Sequence, residues 1–259
     1  MRKISYPTEI ICGFRQEESK RYIALQFVYC KQRCAVMLKK RIYLISGLGA
    51  DQRAFGKLSF PADFELVHLD WIPELPKESL PEYAKRLSQK IDTSAPFYLI
   101  GLSFGGMLAT EIAKNVKPRY TFLISSVTDY RELPWYYQLA GRLSLQKMLP
   151  VYLLKRTNIL LLRMLGAKTE EEKKILRALV TDSDPNFMKW AMDAILHWRN
   201  TEQPSNLVHF HGTADHILPL RYVTYHKPDV QIKNAGHFMV FGNAAELSSL
   251  IIPYLNDQK

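Results

Sequence analysis

Three things are scarce in this sequence: cysteine, long apolar runs and acidic residues. The three cysteines, Cys12, Cys30 and Cys34, all lie within the first 36 of 259 residues. An odd number confined to one end argues against a disulfide framework and fits a reducing compartment. Cys30 and Cys34 have no further Cys or His near them in sequence, so we expect no metal site.

Long apolar runs are missing as well. None approaches the roughly 20 residues that a membrane-spanning helix needs. Pro7 and Glu9 interrupt the apolar stretch near the N-terminus, which argues against a secretory signal. We therefore expect a cytoplasmic protein with no stable membrane insertion.

Acidic residues are outnumbered, because 35 Lys and Arg face 25 Asp and Glu and give a net charge of +10. The excess is not gathered in one basic run, and no zinc-finger or RNA-recognition signature accompanies it. Diffuse positive charge is typical of a solvated surface, so nucleic acid is not an expected partner. With 47% hydrophobic residues, the chain has enough apolar material for a large core.

Residues 1–36 differ from the rest of the chain. They carry seven Lys and Arg against three acids, together with all the cysteines. Residues 22–29 have the composition of a strand, but no turn signal links them to a partner strand. Met37 stands directly before a strong strand pattern. We interpret residues 1–36 as a poorly packed N-terminal extension, or as a stretch upstream of the functional start.

From residue 41 onwards, apolar runs of strand length alternate with amphipathic segments of helix length. This alternation predicts an α/β fold with a mostly parallel central sheet flanked by helices, formed by residues 37–128 and 205–259. The predicted strands are residues 42–46, 64–69, 97–101, 120–125, 207–211 and 230–233, and the predicted helices are residues 80–91, 104–116, 220–225 and 244–255.

The alternation stops between residues 129 and 204, where helical patterns occur without a convincing strand. The last of these helices is predicted to start at Asp184, because Pro185 follows it in the first turn. Apolar residues then recur at helical spacing. We expect residues 129–204 to be a helical cap, or lid, over the carboxyl ends of the strands, where ligands bind in open α/β sheets.

The strongest chemical signal is Gly101-Leu102-Ser103-Phe104-Gly105, followed by Gly106. It lies where the predicted strand 97–101 meets the predicted helix 104–116. A G-x-S-x-G turn in this position is typical of a nucleophile elbow, in which flanking glycines permit a strained bend that exposes the serine. The alternative is an ordinary glycine-rich turn.

A serine hydroxyl needs a base to become a good nucleophile. Of seven histidines, only His237 follows a late strand in a glycine-bearing loop, and it comes last in chain order, as this arrangement requires. His209 and His211 lie within a predicted strand and His197 near the end of a cap helix, where packing or surface roles are expected.

The acid that orients the histidine should fall between serine and histidine in sequence. Asp215 lies in the loop after a buried strand, within His211-Gly212-Thr213-Ala214-Asp215-His216-Ile217-Leu218-Pro219. Asp129, after the preceding strand, is the competing candidate. We favour Asp215 because the whole loop pattern fits. Its alternative role is that of a turn aspartate or a helix cap.

An oxyanion hole needs two backbone N–H groups aimed at the developing negative oxygen. One is predicted at Phe104, the residue after the serine. The other is predicted at Leu48, in Ser46-Gly47-Leu48-Gly49, where flanking glycines permit a close approach. By itself Gly-Leu-Gly is a weak motif whose alternative is a simple turn.

With these motifs, residues 42–255 resemble a compact α/β-hydrolase with a helical lid. The chain is similar to the branch of carboxylesterases, thioesterases and carbon–carbon-bond hydrolases that includes pimeloyl-ester and menaquinone-pathway hydrolases. The resemblance implies a triad of Ser103, Asp215 and His237, with oxyanion donors at Leu48 and Phe104. The first loop departs from many relatives, because Ser46-Gly47 stands where they carry His-Gly.

The cap also bears on the substrate. Residues 133–169 contain no Asp or Glu but six Lys and Arg, among many Leu, Met and Tyr. An apolar cap predicts a substrate with a hydrophobic part, with Trp135, Tyr136 and Met148 as pocket or entrance residues. The basic charge is either solvated surface or a site for an anionic acyl carrier or a membrane surface.

The expected activity is hydrolysis of a carboxylic ester or thioester through an acyl-enzyme on Ser103, without metal or organic cofactor. Carbon–carbon hydrolysis by the same triad is one alternative. A ligand-binding protein that uses the fold without turnover is another.

Overall fold

The structure, a computed structural model, describes residues 40–144 and 157–257. Within these ranges six strands form one parallel sheet in the order β2-β1-β3-β4-β5-β6. The strands are β1 (Lys40–Ile45), β2 (Phe64–His68), β3 (Phe97–Leu102), β4 (Thr121–Ile124), β5 (Leu207–Gly212) and β6 (Val230–Ile232). The predicted α/β fold with a parallel sheet is therefore confirmed.

Eight α-helices accompany the strands in the described ranges. They are α1 (Leu80–Ser88), α2 (Phe104–Asn115), α3 (Trp135–Arg142), α4 (Ile159–Met164), α5 (Glu170–Asp182), α6 (Pro185–His197), α7 (Met239–Gly242) and α8 (Ala244–Asn256). None of them is long and apolar enough to cross a bilayer. The predictions at residues 1–36, including the strand at 22–29, lie outside the described residues.

One predicted helix is wrong. Residues 220–225 form only a 3-10 turn, Leu220–Tyr222. The backbone N–H groups of Tyr225 and His226 donate instead to Oε1 of Glu132, at 3.0 and 2.9 Å. Glu132 is buried, and this burial raises the pKa of its carboxyl. The carboxylate of Glu132, which is distant in sequence, therefore takes backbone N–H groups that a helix would have used. The local sequence pattern could not reveal this acceptor.

The sheet separates two apolar cores. On one face, Tyr98 and Ile100 of β3 pack with residues of α8 such as Leu247. On the other face, Leu99 belongs to a cluster with α1 and α2. All six residues of β3 are buried, which explains its continuous apolar sequence. A central strand that is packed on both sides gives rigid support to the turn that follows it, at Ser103.

Helices α3 to α6 lie between β4 and β5. We call residues 129–204 the insertion. The predicted start of its last helix is confirmed, because the Asp184 side chain accepts from Asn186 N at 2.8 Å and Pro185 begins α6. Phe187 of α6 packs against Trp71, in the loop after β2, with ring centroids 4.9 Å apart. The insertion thus contacts a loop at the carboxyl end of the sheet.

Candidate active site

Ser103 stands at the bend between β3 and α2. Its φ and ψ of 52° and −117° are sparsely populated for a residue with a side chain, at a cost of about 1–3 kcal/mol. The bend requires Gly105, where a Cβ would collide with the carbonyl oxygens of Ile45 and Ser46. It also requires Gly101, where a Cβ would lie 2.6 Å from the Cα of Gly106. The strained turn expected from the motif is present.

The side chain of Ser103 meets an imidazole from the far end of the chain. Nε2 of His237 lies 2.8 Å from Oγ of Ser103. His237 follows β6 in a loop tied to the Asp215 loop, where Ala214 N donates to Ala235 O at 2.9 Å. His237 is nearly buried, whereas Ser103 is only half-buried. Ser103 therefore keeps a solvent exposure that His237 lacks.

Asp215 completes a chain of three side chains. Its Oδ2 lies 2.7 Å from Nδ1 of His237, and its Oδ1 accepts from the N–H groups of Ile217 and Leu218, both at 2.8 Å. Burial by itself raises the pKa of Asp215, but the charge and hydrogen bond of His237 outweigh it and the pKa lies below its ordinary value. The carboxylate fixes the proton on Nδ1, so Nε2 can accept from Ser103.

The rival acid, Asp129, lies in a different environment. It is fully buried, and its carboxylate accepts from the backbone N–H and the guanidinium of Arg131. These bonds cap the 3-10 turn Tyr130–Glu132. Despite its burial, the bonds from Arg131 hold the pKa of Asp129 below its ordinary value. The structure brings Asp215 to His237, and it uses Asp129 as a turn cap.

A pair of histidines lies behind Asp215. Nε2 of His211 is 2.8 Å from Leu218 O and 3.6 Å from Oδ2 of Asp215, and its Nδ1 is 3.2 Å from Nε2 of His209. Burial lowers the pKa of both histidines, that of His209 to about 3. The sequence predicts packing or surface roles for them, and the structure buries both side chains. Their i, i+2 spacing on β5 places both side chains on one face of the sheet, so their proximity could have been predicted from the sequence.

The predicted oxyanion donors belong to Phe104, which follows Ser103, and to Leu48, in the loop after β1. A Cβ at Gly47 would lie 3.4 Å from Cβ of Ser103, so the backbone of the loop after β1 passes beside the Ser103 side chain. In the described part of the chain, neither Leu48 N–H nor Phe104 N–H donates to a protein acceptor. As far as the described residues go, both N–H groups are therefore available to a ligand atom.

The predicted substrate residues lie in the insertion. Tyr136 of α3 is half-buried, with its ring 4.8 Å from that of Tyr137 and 6.4 Å from that of Tyr222. Tyr137 in turn donates to Ile217 O, in the Asp215 loop, at 3.2 Å. Trp135 is 64% exposed, and Met148 lies outside the described residues. Tyr136 is therefore linked to the Asp215 loop through its contact with Tyr137.

A groove of about 980 Å³ lies elsewhere, between the start of α1, the end of α2 and the end of α6. Glu111, Lys114 and Trp190 are among its lining residues, but none of Ser103, Asp215 and His237 is. Its size alone does not make it the site, because the hydrogen-bonded triad lies outside it.

Residues 42–250 match the model of the alpha/beta hydrolase family. No curated protein matches significantly. Among solved structures, the chain is similar to MenH from S. aureus (TM-score 0.64, 15% identity, covering 85% of this chain and 94% of that one).

Two further solved structures resemble the chain. One is a hydrolase from Oleispira antarctica, with a TM-score of 0.63, 15% identity and coverage of 85% of this chain and 92% of that one. The other is a lipase-esterase related protein from Clostridium acetobutylicum, with a TM-score of 0.62, 16% identity and coverage of 84% and 95%. At these identities the likeness establishes the fold.

Proposed function

The chain belongs to the alpha/beta hydrolase family, and from that premise we propose that it is a serine hydrolase that cleaves carboxylic esters or thioesters. The observation that carries the proposal is the continuous chain Ser103–His237–Asp215, with distances of 2.8 and 2.7 Å. A serine activated by a histidine that a carboxylate orients is the arrangement used for acyl transfer.

In the proposed reaction, Oγ of Ser103 attacks the carbonyl carbon as its proton passes to Nε2 of His237. The N–H groups of Leu48 and Phe104 hold the resulting oxyanion, an interaction that forms fully only in the transition state. His237 then protonates the leaving alcohol or thiol, which departs and leaves an acyl-enzyme. Water, deprotonated by His237, attacks this ester and releases the acid and Ser103.

Asp215 keeps His237 in the tautomer that can accept the proton and stabilises the imidazolium that forms. Its two backbone N–H bonds at Oδ1 hold the carboxylate ionised and leave Oδ2 for His237. No step of this sequence calls on a metal or an organic cofactor, since the oxyanion and proton are handled by the chain itself.

A hydrophobic acyl part is supported by the insertion. Its exposed apolar residues include Trp135, Leu139 and Leu160, and α3 lies near the Asp215 loop through Tyr137. One of the similar structures is that of a lipase-esterase related protein, which agrees with such a substrate. The basic, acid-free stretch at residues 133–169 is either solvated surface or, as the alternative proposal, a site that receives the acyl group on an anionic carrier.

A fluorophosphonate probe tests the proposal, since it reacts only with an activated serine. We expect wild-type protein to be labelled and the Ser103→Ala variant not to be. Ser249→Ala, which removes an exposed serine of α8, is the matched control and should label normally. Labelling that persists in Ser103→Ala would contradict the proposal by placing the reactive nucleophile at another residue. Well-folded wild-type protein that never labels would favour a binding protein.

The substrate class is tested by a panel of nitrophenyl esters of increasing chain length beside acyl-coenzyme A thioesters. We expect turnover that improves with acyl length and is absent in Ser103→Ala. A different outcome is a protein that the probe labels but that cleaves neither ester series. If such a protein cleaves a vinylogous diketone, the proposed activity would be carbon–carbon hydrolysis instead of ester hydrolysis.

A further inference from the structure

A second Ser–His–Asp chain of hydrogen bonds exists beside the candidate site. Oγ of Ser46 lies 2.7 Å from Nε2 of His68, and Nδ1 of His68 lies 2.9 Å from Oδ1 of Asp70. The carboxylate fixes the proton on Nδ1, so in the neutral imidazole Nε2 accepts the hydroxyl hydrogen of Ser46. The three residue types match those of the triad, but their surroundings differ.

Ser46 is not a second nucleophile. It has no solvent-exposed surface, and its carbonyl oxygen is packed where a Cβ on Gly105 would be. A carbonyl carbon therefore has no route to its Oγ. The charged end of this chain points the other way, since the Asp70 side chain is 82% exposed while the His68 side chain is only 9% exposed. The chain thus runs from solvent into the base of the loop after β1.

This loop, residues 46–51, carries Leu48. Ser46 directly precedes Gly47 and Leu48, and the loop turns back on itself where Ala50 N donates to Gly47 O at 3.1 Å. Gly49, with φ of 72°, adopts a left-handed conformation inside the turn. A glycine-bearing turn keeps its shape only if its ends are held, because glycine has more backbone freedom than any other residue.

The last residue of β2 and the segment that follows it hold this loop on both sides of Leu48. The parallel register of the sheet pairs Leu44 of β1 with His68 of β2, which brings the imidazole beside Ser46. Three residues further on, Nε1 of Trp71 donates to Ala50 O at 3.3 Å. The anchors at positions 46 and 50 therefore lie on either side of Leu48. Trp71 also packs against Phe104, the other predicted oxyanion donor, with ring centroids 5.8 Å apart.

We infer that His68 is a positioning residue for the oxyanion hole: by binding Ser46 it fixes the loop so that Leu48 N–H points at the oxygen that becomes charged. The inference rests on the proposed function, in which Leu48 serves as an oxyanion donor. Asp70 sets the tautomer of His68, and Trp71 supports the opposite end of the same loop. His68, Asp70 and Trp71 thereby contribute to catalysis without touching the substrate.

Position matters here because an oxyanion donor acts through its distance to the developing charge. Loss of one donor outright lowers kcat about 10²- to 10³-fold. Loosening the loop keeps the donor but spreads its positions, so we expect a smaller loss, roughly 10- to 100-fold. The effect should fall on kcat and leave KM nearly unchanged, because the ground-state carbonyl gains little from these N–H groups.

The experiment compares His68→Leu, His68→Gln and Ser46→Ala in hydrolysis of a nitrophenyl ester. His68→Leu removes the acceptor for Ser46, whereas the amide of His68→Gln keeps one. We expect His68→Leu and Ser46→Ala each to lower kcat and to weaken a trifluoromethyl ketone inhibitor, which forms a tetrahedral oxyanion on Ser103, by the same factor. His68→Gln should keep most of the wild-type kcat and most of the wild-type affinity for the inhibitor. The double variant should be no worse than either single one, since both break the same bond.

His197→Leu is the matched control, because His197 is a partly exposed histidine that accompanies Asp193 on α6. It should keep wild-type kcat. Thermal unfolding of each variant, with rates normalised to folded protein, separates positioning from folding. Additive losses in the double variant, equal losses in kcat and ground-state binding, or wild-type kcat in His68→Leu would overturn the inference. The proposed function fails on different results: Ser103→Ala that retains ester hydrolysis, or folded wild-type protein that is neither labelled by the fluorophosphonate probe nor active on either ester series.

Discussion

Gly166 and Gly236 meet backbone to backbone, although 70 positions separate them in sequence. A Cβ placed on Gly236 would lie 2.6 Å from the Cα of Gly166. Beside this contact, Phe238 N donates to Leu165 O at 2.9 Å, and Nζ of Lys168 donates to Asn234 O at 2.7 Å. The insertion is thereby fastened to the loop that carries His237, so its packing and the position of the imidazole are linked.

Substitution at this contact should lower activity. We expect Gly236→Ala to displace His237 and reduce the rate of fluorophosphonate labelling by at least about tenfold. Gly166→Ala carries an additional strain of about 1–2 kcal/mol, because its φ of 82° is left-handed. Gly56→Ala is the control, since its Cβ would meet only Arg53 O, at 3.3 Å. Wild-type labelling by Gly236→Ala would contradict the link.

The choice of acid is tested by paired amide variants. Asp215→Asn removes the charge that orients His237 and should lower kcat roughly 10³- to 10⁴-fold. Asp129→Asn weakens the charge-assisted bonds from Arg131 and should cost about 1–3 kcal/mol of stability with little change in kcat per folded molecule. Chemical denaturation of both variants measures the change in stability, and ester kinetics measures the change in kcat. The reverse pattern would make Asp129 the acid.

Acid should destabilise the protein through His209. Burial, with His211 beside it, lowers the pKa of His209 from 6.5 to about 3. Between these pH values the unfolded chain takes up a proton that the folded chain does not, so stability falls as the pH falls below about 6.5. The largest slope from one such residue is about 1.4 kcal/mol per pH unit.

This slope is measured by urea unfolding at several pH values between 7 and 4. Glutamine at position 209 cannot titrate. The free energy of unfolding of His209→Gln should therefore fall less steeply with decreasing pH than that of the wild type, by up to about 1.4 kcal/mol per pH unit. His197→Gln, which changes a partly exposed histidine, should follow the wild type. Equal slopes for His209→Gln and wild type would show that His209 takes up its proton in the folded state.

The predicted substrate residues are tested on esters of different chain length. We expect Tyr136→Ala to raise KM for long-chain esters several-fold while kcat changes less, because Tyr136 packs beside Tyr137 and Tyr222 near the Asp215 loop. Trp135→Ala, on the same helix but 64% exposed, should have the smaller effect expected of an entrance residue. A larger effect at Trp135 would move the acyl pocket to the outer face of α3.

The sequence was informative wherever a local pattern has one structural solution. The buried apolar run of β3, the strained glycine turn at Ser103 and the proline start of α6 each follow from neighbouring residues. The order of Ser103, Asp215 and His237 along the chain was equally readable, because each follows a strand whose carboxyl end lies at the same edge of a parallel sheet. Their meeting was therefore predictable before any coordinates.

Only the tertiary structure decided which distant residues share hydrogen bonds. Glu132 takes the N–H groups that a predicted helix at residues 220–225 required, His68 reaches Ser46 through the register of β1 and β2, and Gly166 lies against Gly236. Periodicity and turn motifs report on contacts within a few residues. Contacts across tens of residues depend on register and on the packing of whole elements, and those quantities arise only when the chain has folded.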